Sequence, residues 1–420
     1  MSNRYRFDVG ALRKNEMTFD LSRRQRRFLA YSIPVLAVFA ALLFGAIMLI
    51  LLGADPIEGY SEMFLGAFGS GDALVATILK ATPLLFVGIG IVIAFRANVI
   101  NIGAEGQLVL GGLFATMAAL YLPEMPPYIM IPTVLIAGAI GGAIWGFIPG
   151  VLKAYYSVNE ILSTIMLNIV AVQLMAYLLR GPLIDPAEVE QGTSIPQTER
   201  LTEAADLPLL FGSDRLHIGP LLAVLCAIGA YYLLWRTPLG FRLRAVGLSE
   251  HAARYAGIPV RRTIALALTM SGALAGLGGA VLVFGSESHR MVTDGSTLGF
   301  TGGAGFNGIV AALLGGLHPL WTIPASFLFG GLIVGGQALQ RAVQVPSALI
   351  VALNGLVVIF VVAADRYRAS LLAEDGRDMV ADTDDDGGGG ASAASSAGEA
   401  APKGTDSFRP TGSYDTGDDR

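Results

Sequence analysis

The chain has 420 residues, of which 53% are hydrophobic and only 15% charged, and its mean hydropathy is +0.60. Soluble domains carry about 25% charged residues, so a water-soluble enzyme is excluded. The net charge of −5 is set by residues 373–420, which hold twelve acids against four bases; the remainder of the chain is slightly basic.

Single-residue counts narrow the chemistry further. Cys226 is the one cysteine, which rules out an intrachain disulfide and a paired-cysteine zinc site. His217, His251, His289 and His318 fit no metal-ligand spacing, and no metal is expected. No nucleophile–base constellation marks a membrane enzyme. The four lysines, Lys14, Lys80, Lys153 and Lys403, precede Asn, Ala, Ala and Gly. The phosphate-binding loop of an ATPase needs Lys followed by Ser or Thr, so the chain carries no such loop of its own.

In chain order, residues 1–28 form a basic N-terminus ending in RRQRR. The apolar run 29–53 is too long for a signal-peptide core and reads as a retained membrane helix. Further apolar segments follow at 73–95, 104–122, 128–152, 157–179, 216–235, 263–284, 303–317, 320–340 and 346–364. Each is near the ~20 residues that cross a bilayer. The expected fold class is all-α: a polytopic membrane protein with about ten transmembrane helices in a permease-sized domain at 29–365. The count drops to eight or nine if the short, Gly-rich 303–317 only re-enters. Arg96, Lys153, Arg236, Arg242, Arg244, Arg254, Arg261 and Arg262 fall on the side of the N-terminus, and Arg366 and Arg368 follow the last helix there. The intervening loop 54–72 has no Lys or Arg, and 180–215 has three among more numerous acids. Basic loops stay inside, so both termini are expected in the cytoplasm. The acidic, low-complexity tail 366–420 is expected to be disordered. The Pro-interrupted outer loop 181–215 either rests on the outer face or meets a partner.

Polar residues within apolar segments usually face a cavity or one another. Three clusters qualify. In NVINIGAEGQ at 98–107, Asn101, Glu105 and Gln107 alternate with Gly103 and Gly106 where a helix begins. A broken helix lining a transport site and a simple helix cap with Glu105 in the first turn are both open. In SVNEILSTIMLN, Glu160, Thr164 and Asn168 are spaced i, i+4, i+8, one polar stripe beside Ser163. It lines a path or bonds between helices. In GFTGGAGFNGIVAALLGG, Phe306 and Asn307 interrupt a Gly-rich segment in a position of the second half that mirrors 98–112 in the first. Such matched interruptions point to a midplane site, with tight small-residue packing as the other reading. Lys80 reads as a snorkelling residue and Cys226 as packing. The basic inside loop 236–262 holds a short helix at 248–256, with Ser249 as N-cap, Glu250 in the first turn, and Gly257 and Pro259 ending it.

FRANVINIGAEGQLVLGG, SVNEILSTIMLNIVA, TPLGFRLRAVGLSEHAARYAGI and GFNGIVAALLGGLHPL, in this order, resemble ABC-transporter permeases of the branched-chain amino acid/ribose superfamily, in its nucleoside and simple-sugar branch. The resemblance covers roughly 29–365. It implies a plasma-membrane subunit with no cofactor in this chain, ATP being bound by two partner ATPase subunits. A second permease, a related chain, an extracytoplasmic substrate-binding protein and the lipid bilayer complete the expected partners; no nucleic acid is expected. The stretch 247–257 matches the family's coupling helix, so Gly247, Ser249, Glu250, Ala252, Ala253, Tyr255 and Gly257 are expected to dock on the ATPase. The path is expected to involve Asn101, Glu105, Gln107, Glu160, Thr164, Asn168, Phe306 and Asn307, switching by alternating access. The competing readings are a branched-chain amino acid ABC permease and an ion-coupled secondary transporter. The latter would show uptake that follows an uncoupler rather than ATP depletion, and it needs mid-helix charges of which this chain has few.

Overall fold

The computed structural model describes residues 36 and 39–364, except 194, 211–214, 287, 297–298, 347, 354, 358 and 361–362. The basic N-terminus and the acidic tail lie outside the described residues. Among the described residues the regular structure is helical, with two isolated β-bridges and no strand. The chain runs α1 (Phe39–Leu51), α2 (Pro56–Phe68), α3 (Gly71–Arg96), α4 (Ala104–Tyr121), α5 (Pro127–Tyr156), α6 (Glu160–Arg180), α7 (Pro186–Gln191), α8 (Gly219–Arg236), α9 (Pro238–Leu248), α10 (Glu250–Tyr255), α11 (Val260–Phe284), α12 (Ala304–Leu314), α13 (Pro319–Val343) and α14 (Ala348–Val357). Six of these, α3, α5, α6, α8, α11 and α13, are long and apolar enough to cross a membrane.

The segment 54–72, expected as an outer loop, is largely the helix α2. Asp55 caps it, accepting from the Ile57 amide at 2.8 Å, and Pro56 occupies the first turn. Asp–Pro is a helix-start pair. The apolar-run criterion passed over it because Glu58 and Glu62 break the run. α2 packs on α13, where Gly66 faces Ala338 and Gly335 faces Met63.

α3 lies at the centre. Every residue from Ala81 to Ala94 is buried, as expected for a helix apolar on all sides. α11 is its neighbour in the core. Lipid tails are as apolar as leucine, so burial gives little drive to helix association in a bilayer; close van der Waals packing does. This molecule supplies it with small residues. A Cβ on Gly276 of α11 would stand 2.2 Å from the Gly138 carbonyl oxygen of α5, and one on Gly111 of α4 would stand 2.2 Å from the Gly276 Cα. Three backbones therefore meet where no side chain fits. The outward faces are apolar: Ile136, Ile140, Ile144 and Phe147 on α5, and Leu221, Leu225, Ile228 and Tyr232 on α8, are exposed. Such stripes suit lipid rather than water.

Two crossings are broken. After Arg96 the chain turns at Asn98 (φ 56°) and climbs without helical structure through 99–103. α4 then begins well inside the molecule. Its first turn faces Asn168, eight residues (about 12 Å) into α6. Asn101 faces Ser271, eleven residues (about 16 Å) into α11. The segment 303–317 behaves as the mirror case. Gly302 and Gly303 both have positive φ (62° and 77°), α12 starts beside Glu105, and the turn after it reaches Arg96 at the basic end. The two half-helices thus meet N-terminus to N-terminus at mid-depth.

Candidate functional site

The meeting point of α4 and α12 is built around one carboxylate. Glu105 is fully buried. It lies in the first turn of its own helix and also receives the start of α12. The Gly305 amide donates to it at 2.8 Å, the Phe306 amide faces it, and the Thr301 hydroxyl donates to its other oxygen. Two helix N-termini, each the positive end of a dipole, converge on this group.

Around it a polar layer replaces the hydrogen bonds that the break in 97–103 removes. Asn168 stands in for backbone: its Oδ1 accepts from the Gly106 amide at 2.8 Å and its Nδ2 donates to the Ile102 carbonyl at 2.9 Å. Asn101 donates to Gln107 at 2.9 Å and to the Ser271 hydroxyl at 2.8 Å, and accepts from the Gly103 amide at 2.9 Å. Trp145 of α5 donates to the Leu167 carbonyl at 3.2 Å. Thr164 bonds back to the Glu160 carbonyl and packs on Gly103. An unpaired polar group in hydrocarbon costs several kcal/mol, so this pairing is what makes a mid-depth break tolerable.

Of the eight expected path residues, Asn101, Glu105, Gln107, Thr164 and Asn168 come together in this buried layer. Phe306 and Asn307 are adjacent on α12, with Phe306 41% exposed and Asn307 half-buried. Among the expected residues at this junction they are the ones that are not buried. Glu160 stands apart at the basic end, paired with Lys153 at 2.8 Å, and staples α5 to α6. Ser271 and Thr301 complete the layer and were not singled out in the sequence; isolated hydroxyls in Gly-rich membrane helices carry no distinguishing pattern.

At the basic end, the expected short helix is α10. Ser249 caps it, accepting from the Ala252 amide at 3.2 Å, and Glu250 is in its first turn. Ala253 is buried against the body, whereas Ala252, Tyr255 and Gly257 are exposed. Gly247 presses on the end of α3: a Cβ there would stand 2.1 Å from the Arg96 carbonyl oxygen. The preceding α9, started by Thr237 and Pro238, was not foreseen.

At the opposite end, 196–201 folds back onto 289–293. Asp185 pairs with Arg290 at 3.1 Å and Asp206 with His289 at 2.7 Å. A cavity of about 170 Å³ lies beneath, lined in part by Asp206, His217 and Phe284. Burial pushes the His217 imidazole down to about 4, and its Nδ1 accepts from the Gly219 amide at 3.0 Å. The unfolded imidazole titrates near 6.5. As pH falls from about 6.5 towards 4 the unfolded cap binds the proton first, so its stability drops; above that window it is flat. Asp206, whose carboxyl is raised by burial against the opposing pull of His289, gains protons on folding and acts in the opposite sense. The readout is therefore the difference between wild type and His217→Asn in thermal unfolding between pH 7.5 and 4.5. The acid-side loss should shrink in the variant; equal profiles would remove His217 as its cause.

The family described as "Branched-chain amino acid transport system / permease component" matches residues 73–362. A glucose ABC transporter permease protein of Haloferax volcanii is 35% identical over 87% of this chain and 97% of its own length. A guanosine ABC transporter permease protein of Bacillus subtilis, NupP, is 34% identical over 79% of this chain and 93% of its own. A second guanosine permease of the same organism, NupQ, is 26% identical over 65% of this chain and 85% of its own. No solved structure matches. With the broken-helix pair at its centre and six long apolar helices around it, the chain belongs to this permease family and is a multi-pass plasma-membrane subunit of an ABC transporter.

Proposed function

We propose that the chain is a permease subunit of an ABC importer that takes up a nucleoside or a simple sugar. The observation that carries this reading is likeness over 87% and 79% of the chain to a glucose and a guanosine permease, at 35% and 34% identity. In this reading the solute passes the accessible face of α12. Asn307 can bond a hydroxyl or a base edge, and Phe306 can stack on a ring. The buried layer behind them, from Asn101 to Asn168, holds the break in shape rather than touching the solute. Contacts are few, as release at the far side requires.

ATP is bound and hydrolysed by two partner subunits, with α10 and its flanks, Gly247 to Gly257, docking on them. A substrate-binding protein delivers from outside. The second permease is a related rather than an identical chain; two different guanosine permeases from one organism both match this sequence and support that arrangement.

Uptake of labelled guanosine and labelled glucose, in cells with and without the gene, tests the proposal. Loss of one of the two, restored by the gene and abolished by ATP depletion, is the expected result. If neither changes, the substrate class falls. If uptake follows an uncoupler instead of ATP, the importer mechanism falls.

A further inference from the structure

The seam between α8 and α13 carries two features that lie away from the solute's path. At its basic end Trp235 is the hub of a cationic cluster. Its ring stacks on Tyr231 at 5.2 Å and lies 5.0 Å from His318. The guanidinium carbons of Arg96 and Arg244 stand 5.3 and 5.9 Å from it. Arg96 gives two of its N–H groups to the Leu317 carbonyl. Arg244 Nε and His318 Nδ1 are buried with no hydrogen-bond partner. Neither arginine has an ion pair among the described residues. Cation–π attraction offsets part of the repulsion between two guanidiniums on one indole, but Arg244 Nε remains unfilled.

The second feature lies further along the same seam. An apolar, open-sided cavity of about 300 Å³ is lined by Ile78, Leu85, Pro220, Val224, Ile323 and Phe327, among others. Ile323 and Phe327 stand five and nine residues beyond His318, about 8 and 14 Å along α13. Val224 is eleven residues before Trp235, about 16 Å along α8. The cavity therefore begins an acyl chain's reach from the cations and leads away from them into the apolar stretch. Trp and Tyr beside the cations are the residues that favour the headgroup level.

We propose that this seam binds one anionic phospholipid, its phosphate held by Arg96, Arg244 and His318 and one acyl chain lying in the cavity between α3, α8 and α13. Basic pockets between membrane helices recognise such headgroups. A carboxylate from a water-soluble partner would satisfy the cations but leave the cavity empty. The lipid fits both.

The test uses the purified, delipidated full-length chain. Binding is followed by native mass spectrometry and thermal shift with dioleoyl phosphatidylglycerol, dioleoyl phosphatidylcholine or inorganic phosphate. The anionic lipid should bind at least about fivefold more tightly than the zwitterionic one, the factor expected from one basic contact. Phosphate alone should give no protection. Arg244→Gln should erase the preference, and Val224→Trp, which fills the cavity, should weaken both lipids. Equal binding of the two lipids, a preference that survives Arg244→Gln, or full protection by phosphate alone would each overturn the proposal. So would protection that vanishes once the chain is assembled with its second permease, which would make the seam a subunit contact. If Arg244→Gln does not fold, the lipid preference and the Val224→Trp result decide.

Discussion

Replacing Gly276 with leucine should leave no folded protein in the membrane. A single Cβ at this position would already stand 2.2 Å from the Gly138 carbonyl oxygen and 2.9 Å from the Gly142 Cα and nitrogen. All of these are backbone atoms of α5, which cannot rotate away. α4 closes the third side at Gly111. Overpacking one side chain in a core costs about 1–3 kcal/mol when neighbours can shift. Here the neighbours are two helix backbones, α5 and α4, so α5 must part from α11 along its length. A matched control is Gly229→Leu on the exposed face of α8, where nothing lies within 4 Å of the added Cβ. Membrane abundance and a monodisperse gel-filtration profile read the outcome. A Gly276→Leu protein as abundant and monodisperse as the Gly229→Leu control would refute the three-backbone contact.

Glu105→Ala should keep the chain inserted but cut uptake at least about tenfold. The substitution strands the Gly305 amide and the Thr301 hydroxyl in a buried site. Hydrogen bonds whose loss leaves a buried donor unsatisfied cost about 1–3 kcal/mol each when removed. Losing two of them shifts the balance between docked and undocked α12 by roughly a hundredfold if about 3 kcal/mol is lost. Glu105→Gln keeps an acceptor for the amide and should fall between wild type and Glu105→Ala. Uptake is normalised to membrane abundance, so a folding defect is separated from a transport defect. Wild-type uptake by Glu105→Ala would show that the carboxylate does not hold α12.

The long helices were legible because a bilayer imposes a length on apolar runs. The break at 98–107 was legible because Asn, Glu and Gln among glycines have no place in a continuous apolar helix. Asn168 was legible through its i, i+4, i+8 stripe, although Glu160, at the other end of that stripe, belongs to an ion pair with Lys153. Pairing across the chain left no such mark. Ser271 meets Asn101 from 170 residues away, and Thr301 meets Glu105 from 196; periodicity reports only which face a residue shares, not who faces it. The helix α2 escaped because it is too short and too acidic to look like a span, even though its cap pair was in view.

α12 is a connecting rod. It is 11 residues long, about 16 Å, and it is pinned at both ends. Glu105 grips its start at mid-depth, and Arg96 grips the Leu317 carbonyl just past its finish. Arg96 is in turn pressed by Gly247, one residue from the end of α9. A helix of this length is stiff along its axis. A push applied where an ATPase would dock therefore has two outlets: it breaks one of these pins, or it moves Phe306 and Asn307 by the full distance that Leu317 travels.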